Sequence, residues 1–166
     1  DLDLPELLSD DELSRFGRIS HDTARRDFLR SRTSLRLILS SYLRCSASEI
    51  VFRYNENGKP ELLPPEYPSL IFNLSHSGNY CLLAISSGSE IGIDIERVQK
   101  GRDYLALAQR FFTPAEFDLL RNTKDKSLFS RIWVLKEASV KARGMKLLAG
   151  LDRFNCTVSE DGELNV

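Results

Sequence analysis

Asp94 and Glu96 stand two residues apart in Ile91-Gly92-Ile93-Asp94-Ile95-Glu96. On a strand, side chains alternate between faces, so the two carboxylates would share one face and Ile93 and Ile95 the other. Two ionised carboxylates side by side repel each other. A divalent cation relieves that repulsion, and a hard cation such as Mg²⁺ takes carboxylate oxygens and often shares them with a substrate phosphate. The competing reading is an exposed edge strand with a polar outer face. A second pair, Glu137 and Lys141, lies in Trp133-x-x-Lys136-Glu137-Ala138-x-x-Lys141-Ala142. Four residues apart on a helix, these two stabilise it without any further role. His76, within Asn73-Leu74-Ser75-His76-Ser77 after an apolar stretch, suits a loop hydrogen-bonder better than a catalyst. Glu116 follows Thr113-Pro114-Ala115, where it can close a capping box or serve as a base.

The surrounding pattern says which elements carry these groups. Asp22 to Leu43 has helical spacing of Phe28, Leu35, Ile38, Leu39 and Tyr42, accompanied by Arg25, Arg26, Arg30, Arg32, Arg36 and Arg44. Those arginines read as a solvated face, or as a set of which one or two meet an anion, since the guanidinium fork suits phosphate. Residues 50–54 read as a strand, Asn55 to Pro60 as a turn centred on Asn57-Gly58, and Pro64, Pro65 and Pro68 as an extended linker. Residues 70–74 lead into a loop at Ser75–Gly78. Tyr80–Ser86 and Ile91–Glu96 read as two strands of a hairpin turning at Gly88. Helices follow up to Phe112, from Thr113, and from about Ser127 to Arg143 with Gly144 as the C′ residue. Phe154–Val158 reads as a strand and residues 160–163 as a turn.

Composition narrows the function class. The 166 residues are 42% apolar and 28% charged, ordinary for a globular protein, and the net charge of −1 gives no basic field for nucleic acid. No apolar run has the length of a membrane span and no leader is visible. Cys45, Cys81 and Cys156 are scattered, which argues against a disulfide framework or a zinc knuckle and for a reducing cytoplasm. An offset of 104 positions aligns Gly58 with Gly162 and Arg32 with Lys136, so helix, strand and glycine turn occur twice. The partner of the strand near 71–85 would then lie beyond Val166, and that of 91–96 before Asp1. The native chain is therefore expected to extend past both ends.

In combination, the Gly58-Lys59-Pro60 turn, Asn73-Leu74-Ser75-His76-Ser77, Gly92-x-Asp94-Ile95-Glu96 and Trp133-x-x-Lys136-Glu137-Ala138-x-x-Lys141 resemble the Sfp-type 4′-phosphopantetheinyl transferases. Arg110-Phe111-Phe112-Thr113-x-x-Glu116 resembles the family's FF…E segment, and the resemblance covers about residues 13 to 158. Gly144-Met145-Lys146-Leu147 departs from the family's GxGL. The resemblance implies Mg²⁺-dependent transfer of the phosphopantetheine arm of coenzyme A to a serine of a carrier protein. It implies Asp94, Glu96 and Glu137 as metal ligands, with Lys141 on the pyrophosphate. Ser75, His76 and Arg32 would contact coenzyme A phosphates, Lys59 and Pro60 the adenine end, and Glu116 would be a candidate base. Arg15 and Arg18 would lie near the 3′-phosphate. The implied fold is α+β: two similar halves, 1–90 and 91–166, related by a pseudo-twofold with the active site in the cleft between them, in a cytoplasmic monomer.

The reading from another class is a non-catalytic module that docks acidic carrier domains with the arginine-rich helix. A carboxylate trio facing one point separates the two, because docking has no use for it. No GxxxxGK[ST] loop is present for a nucleotide kinase. The repeat makes its own prediction. In a chain of these residues alone, hydrogen exchange should show the second half less protected than the first, particularly around Phe154 to Val158. Uniform protection would make the repeat a coincidence.

Overall fold

The computed structural model describes residues 4–63, 69–146, 150–159, 161 and 163–166. They form two compact units: the first gathers the chain up to Tyr54 with the strand Pro60–Leu62, and the second takes Asn55–Lys59 with the described residues from Ser69 onward. Helices and small antiparallel sheets mix throughout, an α+β fold. Among the described residues no helix is long and apolar enough to cross a membrane.

In the first unit, α1 (Asp10–Arg18) begins at Ser9, whose backbone N–H donates to Glu12 Oε2 at 3.1 Å. Glu12 is fully buried, and the same oxygen receives Arg36 Nε at 2.7 Å from α2 (Asp22–Leu43). Arg36 Nη1 donates to the carbonyls of Ala47 and Ile50, both at 2.8 Å. One arginine of the basic set thus meets an anion, but the anion is the protein's own Glu12. The buried face of α2 is Thr33, Leu35, Arg36 and Leu39. Ile38 and Tyr42, expected inside, are 42% and 61% exposed, because burying Arg36 rotates the helix away from them. β1 (Phe52–Tyr54) pairs with β2 (Pro60–Leu62), Phe52 opposite Leu62. The expected turn lies between them, with Gly58 at φ 81, a conformation that side chains disfavour.

The second unit corrects the expected hairpin. β3 runs unbroken over Leu70–Ser77 and pairs antiparallel with β4 (Tyr80–Ser87), from Leu70 opposite Ser87 to Ser77 opposite Tyr80. The expected loop at Ser75–Ser77 is strand, and Gly78 makes the turn at φ 58. Residues 91–97 join no ladder. Their backbone instead bonds to side chains on one face of β3. Ile93 N–H donates to Asn73 Oδ1 at 2.9 Å, Ile95 N–H to Ser75 Oγ at 3.3 Å and Arg97 N–H to Ser77 Oγ at 2.9 Å. The alternation anticipated for a strand is present, but polar side chains have taken the place of a neighbouring backbone.

Three helices carry the core: α3 (Tyr104–Phe111), α4 (Pro114–Asn122) and α5 (Leu128–Ala142). Ala108, Phe112, Leu120, Phe129, Ile132, Trp133, Val140 and Leu151 are buried together. Trp133 is core as expected, stacked on Phe129 at 5.5 Å. Thr113 caps α4 with Glu116 closing the box. The strand expected over 154–158 is reduced to β5 (Thr157–Val158), paired with β6 (Leu164–Asn165). Pro64, Pro65, Pro68, Leu147, Glu160 and Gly162 lie outside the described residues.

Gly92 sets how closely 91–97 approaches α5. A Cβ at this position would run into the Ala138 carbonyl oxygen and lie 2.6 Å from the Ala142 nitrogen. Both are helix backbone and neither can swing aside, so only glycine fits. Gly92→Ala is expected to destabilise the protein by ~2 kcal/mol or more, read as a lower urea midpoint at constant slope. An unchanged midpoint would show that the backbones do not meet this closely.

Candidate active site

The Asn73-Ser75-Ser77 face of β3 and the last turns of α5 bring one cluster together in the second unit. Asp94 is buried, 8% exposed. Its Oδ1 accepts from Ser75 Oγ at 2.7 Å and from the Lys141 ammonium. Among the described residues its Oδ2 is buried with no hydrogen-bond partner while both carboxylates are ionised. Ser75 Oγ also accepts from Ile95 N–H and, at 3.0 Å, from Lys141 Nζ. That uses its one proton and both lone pairs. Glu137 Oε2 lies 3.8 Å from Lys141 Nζ, one helical turn away.

Glu137 is pushed up to about 7, first by burial, then by the negative charge of Asp94 and by the hydrogen bond its protonated carboxyl makes with Asp94, while Lys141 and a hydrogen bond from Trp133 pull it down. Two carboxylates share a single ammonium here. With both ionised the cluster carries one negative charge too many, which a proton or a further cation would relieve. The donor set suits a hard cation: carboxylate and hydroxyl oxygens, one of them the unpartnered Asp94 Oδ2, with neither thiol nor imidazole.

The expected trio is joined only in part. Glu96 pairs with Arg102 Nη1 at 3.5 Å. Among the described residues no group of three His, Cys, Asp or Glu stands in a metal-holding arrangement.

The other expected site residues have definite places. His76 is exposed on β3, opposite Cys81. Lys59 Nζ donates to the Ala142 carbonyl at 3.3 Å and lies 3.6 Å from Glu90. Pro60 sits in β2 opposite Tyr54. In the first unit, Arg32 lies over Phe28, and its Nη1, 3.9 Å from Glu12 Oε1, has no hydrogen-bond partner among the described residues. Arg15 lies over Tyr54 and Phe28.

Glu116 is 1% exposed and engaged at both oxygens. Oε2 accepts from Thr113 N–H at 2.8 Å and pairs with Lys136 Nζ at 2.6 Å, and Oε1 accepts from Cys156 N–H at 2.7 Å. Lys136 also donates to the Leu151 carbonyl at 2.8 Å. The Cys156 thiol is raised to about 11, chiefly by burial, so it stays protonated. The capping role of Glu116 was visible in sequence and its buried ion pair was not. Also missed was the ladder of Asn73, Ser75 and Ser77, although polar residues at every second position of an apolar strand were a signal for it.

Two family models match the chain. One, described as 4′-phosphopantetheinyl transferase, N-terminal, matches residues 3–88. The other, described as the 4′-phosphopantetheinyl transferase superfamily, matches residues 90–166. A putative 4′-phosphopantetheinyl transferase of Synechocystis is 39% identical over 150 residues, 89% of this chain and 61% of that protein. The 4′-phosphopantetheinyl transferase HetI of Nostoc is 42% identical over 146 residues, 86% of this chain and 62% of that protein. The 4′-phosphopantetheinyl transferase Sfp of Bacillus subtilis is 36% identical over 135 residues, 80% of this chain and 58% of that protein. The chain thus spans about three fifths of the length of the curated relatives it matches. It belongs to the 4′-phosphopantetheinyl transferase family.

The raised Glu137 carboxyl has a consequence for stability. Its pKa is about 7 folded against 4.5 ordinarily, so the folded state holds the proton more tightly. The stability this group confers is full below about pH 4.5 and declines as pH rises to about 7. Without added metal, Glu137→Gln should be more stable than the parent at pH 8 by ~1–3 kcal/mol and should lose that part of the pH dependence in thermal melts. A less stable variant at pH 8 would mean that Lys141 outweighs burial.

Proposed function

We propose that this chain carries the catalytic cluster of a transferase that moves the 4′-phosphopantetheine arm of coenzyme A onto a serine hydroxyl of an apo carrier protein. Adenosine 3′,5′-bisphosphate would be released. The observation that carries this reading is the cluster of Ser75, Asp94, Glu137 and Lys141, in which residues of separate signature segments meet with an excess of negative charge.

In the reaction the serine oxygen bonds to the phosphorus bearing the pantetheine, the pyrophosphate bridge breaks, and the bisphosphate leaves with the bridging oxygen. Negative charge gathers on phosphate oxygens, where fixed cations are effective. Lys141 supplies such a charge, released from Asp94 as the pyrophosphate enters. Asp94 and Glu137 would hold Mg²⁺, with Glu96 a third ligand once freed from Arg102; bound there, the ion supplies Lewis-acid stabilisation. Ser75 can bond a phosphate only by giving up one of its present partners. His76, exposed on β3, is free to meet a phosphate, and Arg32, Lys59 and Pro60 would contact the rest of coenzyme A. The serine proton needs an acceptor. Glu116 would take it only by giving up one of its present partners, and Glu137, once it holds Mg²⁺, would give up its own proton. The two halves, 1–90 and 91–166, would divide where the two family matches meet. A monomer in the cytoplasm suits the odd, scattered cysteines and the duplication.

Mass spectrometry of apo carrier proteins incubated with coenzyme A and Mg²⁺ tests the reading. The native protein should add the mass of a phosphopantetheine group, and EDTA should stop the addition until Mg²⁺ is restored. Asp94→Ala should lower turnover ~10²–10³-fold, with secondary structure retained by circular dichroism at a lower melting temperature. Near-parental turnover in that variant with Mg²⁺ would overturn the metal assignment. Lys141→Ala should raise the coenzyme A requirement and slow turnover. Its stability cost should exceed the ~0.3–0.5 kcal/mol of an exposed pair, since Lys141 is 22% exposed and Asp94 would be left buried and unpaired. A lower melting temperature with unchanged kinetics would assign Lys141 to the helix alone.

A further inference from the structure

The turn Asn55–Lys59 lies against the C-terminal end of α5, across more than eighty positions of sequence. Asn57 Nδ2 donates to the Gly144 carbonyl at 2.9 Å, and Asn55 Nδ2 reaches the same oxygen at 3.4 Å. Lys59 Nζ donates to the Ala142 carbonyl at 3.3 Å. Ala142 ends α5, and the last carbonyls of a helix have no intrahelical partner and form its negative end, so the ammonium is suited to it; the amides hold the carbonyl of Gly144, just past the cap Arg143. Gly144, at φ 60, permits the approach: a Cβ there would lie 3.0 Å from Asn55 Nδ2.

The turn is itself braced. Asn55 Oδ1 accepts from Asn57 N–H at 3.0 Å and Lys59 N–H at 2.9 Å, and Gly58 N–H donates to the Asn55 carbonyl at 2.9 Å. It therefore presents its three side-chain donors from a constrained backbone. They hold the end and exit of α5, next to Lys141 in its last turn. Lys141 precedes Ala142, and its own carbonyl accepts from Gly144 N–H at 3.1 Å. From this backbone position Lys141 Nζ reaches Asp94 and Ser75.

We propose that Asn55–Lys59 is a clamp on the end of α5, with Asn57 and Lys59 as positioning residues that act through Lys141. This rests on the transferase reading for its effect on turnover, though not for its effect on the helix. It gives Lys59 a task besides bordering the adenine, since its ammonium also donates to a helix carbonyl.

Asn57→Asp keeps the side-chain shape, removes the donor and sets a carboxylate against the Gly144 carbonyl. Turnover should fall roughly tenfold while the coenzyme A KM moves less than about twofold. Asn57→Gln, which retains an amide donor, should recover part of the loss. In a Lys141→Ala background, Asn57→Asp should cost nothing further, because the group through which it acts is gone. Hydrogen exchange of the free protein should rise at amides 142–145 in Asn57→Asp. An equal fold loss in both backgrounds, a loss confined to the coenzyme A KM, or unchanged exchange at 142–145 would each overturn the clamp. If the parent protein modifies no carrier, the transferase reading fails, and exchange at these amides alone decides whether the clamp exists.

Discussion

The Asp94 carboxylate is the group on which the arrangement of the second unit turns. It is buried, and one of its oxygens is held by a serine hydroxyl and an ammonium from distant parts of the chain. A buried ion is tolerated only when paired and hydrogen-bonded, so β3, the 91–97 segment and α5 are tied to one another through it. The same economy leaves the cluster unfinished. Among the described residues Asp94 Oδ2 has no partner while both carboxylates are ionised, and Glu137 is driven toward its neutral form, two signs of a site arranged for more positive charge than those residues bring to it.

Bringing these groups together needs an unusual approach of backbones. Segment 91–97 is attached to β3 through Asn73, Ser75 and Ser77, so its spacing from that strand is set by side-chain length. Its distance from α5 is set by the missing side chain of Gly92. Ser75 takes part in both the attachment and the cluster, which couples the path of the backbone to the geometry of the charges.

Each unit also contains one buried ion pair away from this cluster. Glu12 with Arg36 ties α1 to α2 and to the carbonyls of Ala47 and Ile50. Glu116 with Lys136 ties the start of α4 to α5, to Cys156 and to Leu151. Such pairs add little net stability compared with apolar packing, but they admit few alternative arrangements. The second also fixes the rotation of α5 about its axis, and with it the face that carries Glu137 and Lys141 one turn apart.

Local chemistry was legible in the sequence wherever a short stretch decides its own conformation. The capping box of Thr113 and Glu116, the turn at Asn57-Gly58, the positive φ of Gly144 and the extent of α2 and α5 all follow from neighbouring residues. So did the family, whose signatures are short and ordered along the chain. Pairing was not legible. The period-2 pattern of 91–96 is the same whether a strand meets backbone or side chains, so only the fold could show that β4 pairs with β3 and that 91–97 hangs from Asn73, Ser75 and Ser77. Nor does an arginine or a glutamate announce which partner it will meet. Arg36 found Glu12, and Glu116 found Lys136. Charge pairing across tens of residues depends on which helix faces are buried together, and that is settled by packing in three dimensions.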